Sequence, residues 1–174
     1  MNAPITSDGL LSVAEALARF DDTSTAADRR AVSTAYYALF HGLVSDAVRR
    51  TTEDDPDRDD DRRTYSRWYA HGEIRTVSQW VVRLARGETV PNGVPVLLGS
   101  PPTDLVDLAR TFVQLQEARH EADYDHSADL DEADAQAAID AARDALSRLP
   151  RLAGSHAYAN YLVLLLGGPR VVGR

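Results

Sequence analysis

The stretch from about residue 25 to residue 50 constrains the fold more than any other. At 100° per residue, Val32, Tyr36, Leu39, Phe40, Leu43 and Ala47 fall on one face of a helix. Tyr37, Val44 and Val48 make a second apolar face beside the first. More than half the circumference is then apolar, so this helix must be covered on two sides. The rest of the chain offers that cover in kind, because apolar residues recur at three- and four-residue spacing and no convincing alternating run appears. The expected fold is all-α: a single-domain antiparallel helical bundle over residues 1–174, with four to five main helices and a short terminal one.

A first helix is expected near 8–20, capped by Ser7, and the long second one near 25–50, capped by Thr23 or Ser24. The acidic, proline-containing stretch at 53–63 reads as a flexible loop. A third helix is expected over 64–86, with Ala70, Ile74, Val77, Val81 and Leu84 as its seam. Residues 87–102, "GETVPNGVPVLLGSPP", read as an irregular connector packed through Val96, Leu97 and Leu98. A fourth helix starts near Thr103, a fifth spans about 131–148, and a short sixth spans about 153–166.

Composition narrows the function classes. The 174 residues are 44% hydrophobic and 26% charged, an ordinary globular balance. Cysteine is absent, which excludes disulfides and thiolate metal sites and fits a reducing cytoplasm. No signal peptide is read at the start, and "YLVLLLGG" is too short to span a bilayer, so no membrane partner is expected. The net charge of −8 argues against a general nucleic-acid coat protein. That charge is concentrated at 53–61 and 117–144, and the remainder of the chain is basic. All 19 basic residues are arginine; biased codon usage explains this more simply than phosphate recognition.

The fourth helix carries the functional argument. Leu105, Leu108, Phe112 and Leu115 share a stripe, and the same rotation brings Arg119 and His126 in line with it, provided the helix runs through Asp125. A guanidinium buried alone is very costly, so this end of the stripe should face a cleft, a partner subunit or a ligand.

Two segments resemble a known family. "RRAVSTAYYALFHGLVSDA" (Arg29 to Ala47) is similar to the long helix of HEPN-domain proteins, with its "AYYALFH" signature. "RHEADYDH" (Arg119 to His126) resembles that superfamily's R-x4–6-H motif, with His120 in the polar slot after the arginine. The resemblance implies a dimerising bundle of four or five helices. It also implies a metal-independent ribonuclease without cofactor, often a toxin or defence effector paired with an antitoxin or nucleotidyltransferase. His126 would then move protons at the RNA 2′-hydroxyl or the leaving oxygen, and Arg119 would hold the scissile phosphate. His120 and Tyr124 would be helpers, and a homodimer would bring two such pairs together. The alternative is a non-catalytic HEPN module holding a partner protein or nucleotide in the same cleft. The acids Asp123 and Asp125 favour the alternative, and the Arg-to-His spacing favours the nuclease.

Other features are weighed against plainer uses. Arg67, His71 and Arg75 follow one edge of the third helix, in a stretch (62–86) carrying net +5 with Trp68 and Trp80 interleaved. This is either a basic aromatic surface for RNA or a solvated face paired with neighbouring acids, the commoner use of such a run. His41 reads as a hydrogen-bonded histidine inside the bundle. Asp55, Asp57 and Asp59 alternate as in a calcium loop, but Asp60 and Ser66 replace the required glycine and glutamate, so no metal site is expected. His156 has no second ligand at useful spacing. P-loop, GxSxG and dinucleotide fingerprints are absent.

Overall fold

Thr6, one residue before the expected cap Ser7, opens α1 (Ser7–Ala18) by accepting the Gly9 N–H on Oγ1 at 3.1 Å. Its extended backbone leaves the hydroxyl free to take a donor that the first turn cannot satisfy. The structure, a computed structural model, describes residues 5–20, 25–53 and 55–172. The long helix α2 covers Ala26–Thr51. Its expected caps, Thr23 and Ser24, lie outside the described residues.

The stretch expected as an acidic loop is helical over much of its length. A single 3-10 turn, Pro56–Arg58, leads into α3 (Asp59–Ser66). Asp59, Asp60 and Asp61 occupy the first turn of α3, where the helix dipole favours negative charge. Each acid also pairs three residues away: Arg58 with Asp61 at 2.8 Å, Arg62 with Asp59 at 2.9 Å, and Arg63 with Asp60 at 3.6 Å. The expected third helix is broken, because α3 stops at Ser66 and α4 (His71–Ala85) begins beyond an extended Ala70. Across the break Tyr69 is buried while Trp68 stays 56% exposed.

The connector at 87–102 contains the short helix α5 (Gly93–Leu98). It packs through Val94 and Leu98, and not through Val96 and Leu97, which are exposed. After it come α6 (Thr103–Tyr124), α7 (Glu132–Arg148), α8 (His156–Leu165) and α9 (Gly168–Val171). Among the described residues no strand occurs, and the fold is an all-α helical bundle. No helix among them is long and apolar enough to cross a membrane.

Contacts divide the chain into two compact units. In the first, residues 1–42 and 111–147, the expected two-sided cover of α2 is evident: nearly every side chain from Ala31 to Phe40 is buried, with Thr34 and Tyr37 half-buried. Tyr36 meets Phe112 of α6 edge-to-face, with centroids 5.6 Å apart. The buried face of α7 is made of Ala135, Ala138, Ala142 and Ala145 around the larger Ile139, and the alanines permit close helix approach. An alanine methyl at Gly42 of α2 would stand 2.2 Å from Leu146 Cδ2, so glycine sets that approach. Asp131 and Asp134 cap the start of α7 reciprocally, each carboxylate accepting the other's backbone N–H at 3.0 and 3.2 Å.

The second unit, residues 43–110 and 148–174, has a core containing Leu43, Val77, Val81, Leu105, Leu108, Tyr158, Tyr161 and Leu165. Two polar groups inside it are satisfied. Tyr161 and Ser78 share a hydrogen bond of 2.8 Å. Asp46, 6% exposed, accepts from Arg50 Nε at 2.7 Å, Tyr158 OH at 2.8 Å and Arg49 Nη2 at 2.9 Å. Burial alone would raise the Asp46 pKa, but these donors outweigh it and hold the carboxyl below its ordinary range.

Candidate functional site

Helix α6 ends at Tyr124, before it can carry His126. Its last turn closes with the Asp125 N–H on Glu121 O at 3.0 Å. Asp125 Oδ1 then accepts from Ser127 N at 2.9 Å and Ser127 Oγ at 2.6 Å. Such a side-chain turn offers the backbone an alternative to another helical turn, and here the alternative wins. The expectation that Arg119 and His126 share one helical stripe is therefore corrected: Arg119 is on the helix, and His126 stands in the turn after it.

Arg29 of α2 fixes that turn. Its Nη1 donates to Ala128 O at 2.9 Å, and its Nη2 donates to Asp125 O and lies 3.5 Å from Glu121 O. One guanidinium thus ties down carbonyls of the turn that follows α6, and places positive charge at the helix end where the dipole favours it. The Ser127 donors hold the Asp125 carboxyl below its usual range, with Arg29 adding to the effect.

Arg119 is enclosed. Its Nε lies 2.7 Å from Asp123 Oδ2, an ion-pair contact without the alignment of a directed hydrogen bond. Its Nη2 donates to Tyr37 OH at 3.1 Å. The guanidinium also sits 5.6 Å from the ring centres of both Tyr37 and Tyr124. Burial works against its charge, but Tyr37, Asp123 and Tyr124 more than offset that and raise its pKa. The other oxygen of Asp123, Oδ1, accepts from Ser33 Oγ. The four-residue step from Arg119 to Asp123 puts the pair on adjacent turns of one face, so the clasp follows from local spacing.

Beside this clasp lies an open cleft of about 460 Å3, lined by Ala26, Arg29 and Arg30 of α2 with Ala122, Asp123, Tyr124 and His126. His126 is exposed, and Tyr124 is 61% exposed with its ring 5.0 Å from that of His120. Arg119 is not among the lining residues. The cleft therefore combines an imidazole, a phenol and guanidinium groups around a carboxylate that is already engaged, a lining suited to an anion.

No family model, curated protein or solved structure matches the chain.

The remaining site candidates belong to the second unit. Arg67 is exposed at the end of α3, whereas His71 and Arg75 on α4 are half-buried and have partners. Of the two tryptophans, Trp80 is core and Trp68 is exposed, its ring 4.8 Å from Tyr65. In the first unit His41 is half-buried with its ring edge-on to Phe40 at 5.5 Å. Among the described residues no cluster of three or more histidines and acids is arranged to hold a metal. Sequence reasoning missed Arg29, Arg30 and Ser33. A signal was present for two of them: Arg30 and Ser33 stand three residues apart, a polar strip beside the apolar faces of α2.

Proposed function

We propose that the cleft at the end of α6 receives the backbone of single-stranded RNA, and that the protein is a HEPN-like ribonuclease of the toxin or defence type. The observation that carries this reading is the exposed imidazole of His126 on the wall of a cleft that also holds Arg29, Arg30 and Tyr124. Imidazole is the side chain best suited to move a proton near neutral pH. In the reaction the RNA 2′-oxygen bonds to phosphorus and the bond to the 5′-oxygen breaks. A base takes the 2′-hydroxyl proton and an acid returns one to the leaving oxygen. The products are a 2′,3′-cyclic phosphate and a free 5′-hydroxyl, with no oxidant or other co-reactant consumed. One subunit supplies one His126, so a homodimer pairing two clefts would provide both roles. A cytoplasmic setting, with a cognate antitoxin or nucleotidyltransferase as partner, fits the same reading.

A second reading is favoured by one specific observation. The Arg119 guanidinium is partly covered and held by Asp123, Tyr37 and Tyr124, so the arginine of the motif is engaged within the chain. On that reading the protein is a non-catalytic HEPN-like module holding a partner protein or nucleotide. Expression of the wild type and of His126→Ala separates the two. The nuclease reading expects slowed growth and cleaved cellular RNA, both relieved by the substitution at unchanged thermal stability. Harmless wild type with intact RNA favours the binding module.

A further inference from the structure

We infer that Arg30, and not Arg119, is the residue that grips ligand phosphate in this cleft. The inference rests on the proposal that RNA binds there and assigns the group that would hold it. Three arginines lie at or beside the cleft, and each is committed differently. Arg119 is taken by Asp123 and by the rings of Tyr37 and Tyr124. Arg29 is spent on the carbonyls of Ala128 and Asp125, so moving it toward a ligand would release the turn that carries His126. Arg30 is exposed and lines the cleft, and its guanidinium meets no acid among the described residues. Only its backbone is engaged, as its carbonyl accepts from Thr34 Oγ1 at 2.6 Å.

The carboxylate in the lining does not compete for that charge. Asp123 already holds Arg119 through one oxygen and accepts from Ser33 through the other. A phosphodiester has two unesterified oxygens that match the fork of a guanidinium. The exposed ring of Tyr124, also in the lining, offers a face for a neighbouring base. The ligand class assigned to Arg30 is therefore the phosphodiester of single-stranded RNA.

The test is binding of a short fluorescein-labelled single-stranded oligoribonucleotide of mixed sequence, followed by anisotropy across a salt series. Arg30→Gln should weaken binding about tenfold, the effect of losing one charge-assisted contact. It should also flatten the slope of log affinity against log salt by ~0.7, one phosphate contact on a single strand. A purely structural role for Arg30 would leave that slope unchanged. Arg119→Gln should lower thermal stability and keep the wild-type slope. Wild-type affinity and slope in Arg30→Gln, or the flattened slope in Arg119→Gln instead, would overturn the assignment while leaving RNA binding intact. Failure of the wild type to retain the oligonucleotide at low salt overturns RNA binding, and the assignment with it.

Discussion

Arg119 Nε stands 2.7 Å from Asp123 Oδ2, one helical turn further along α6, and both side chains are largely shielded, at 24% and 16% exposure. The same carboxylate accepts from Ser33 of α2, so one acid joins Arg119 of α6 to α2. The pair is a clasp within the first unit.

Breaking the clasp should cost stability. Asp123→Ala removes the acceptor of Ser33 and leaves a partly buried guanidinium without its carboxylate, a loss of about 1–3 kcal/mol. Asp123→Ala, Arg119→Met and the double variant form a cycle readable by urea unfolding. A coupling of about 1 kcal/mol is expected for residues in direct contact, and additive losses would show that the two do not work together.

The Asp46 cluster sets an acid limit. Its folded pKa is depressed, so its contribution is complete above the unfolded carboxylate value of about 3.9 and disappears as pH falls through the lower folded value. Asp46→Ala should lose about 2 kcal/mol at neutral pH, because Tyr158 and two arginines lose their acceptor. Denaturation curves of wild type and variant should converge below that window. A constant gap down to the most acid pH would contradict the assignment.

His41 acts at a higher pH. Burial lowers its pKa, so the folded state favours neutral imidazole. Stability from this residue is present above about 6.5, the unfolded value, and is lost as pH falls through the lower folded value. His41→Gln should remove that loss on mild acidification while the carboxylate window stays in place. Thermal melts between neutral and mildly acid pH read the difference, and identical slopes in both proteins would contradict the lowered pKa of this half-buried ring.

The Ser78–Tyr161 bond gives a test by compensation. Ser78→Ala strands the buried Tyr161 hydroxyl and should cost about 1–2 kcal/mol, as should Tyr161→Phe for the serine. The double variant removes both polar groups and should be less destabilised than the two single losses combined. Full additivity in chemical denaturation would mean that the hydroxyls are not paired.

Much of the fold was legible because packing wrote it as periodicity. The two-faced pattern of α2 and the seam of α4 need burial and largely find it: Ile74, Val77 and Val81 are buried, whereas Ala70, expected in that seam, is exposed and Leu84 is half-buried. Stops and starts were harder. Asp59 to Asp61 read as loop by composition, yet acids suit a helix's first turn and find arginines three residues away. The end of α6 was misread because nothing in apolar spacing reports that Asp125 will turn onto Ser127. The site was legible only in part for the same reason. Arg119 and His126 were found as residue types, but Tyr37, which bonds the one, and Arg29, which fixes the other's turn, reach them only through tertiary contacts.

The most direct test of the central claim, that RNA enters the cleft beside His126, is an NMR titration of histidine-labelled protein with single-stranded RNA. The His126 imidazole resonance, assigned through His126→Gln, should move progressively and saturably, while that of His156 on α8 stays in place. An unmoved His126 signal under conditions where RNA is bound would put the ligand elsewhere and contradict the proposed site.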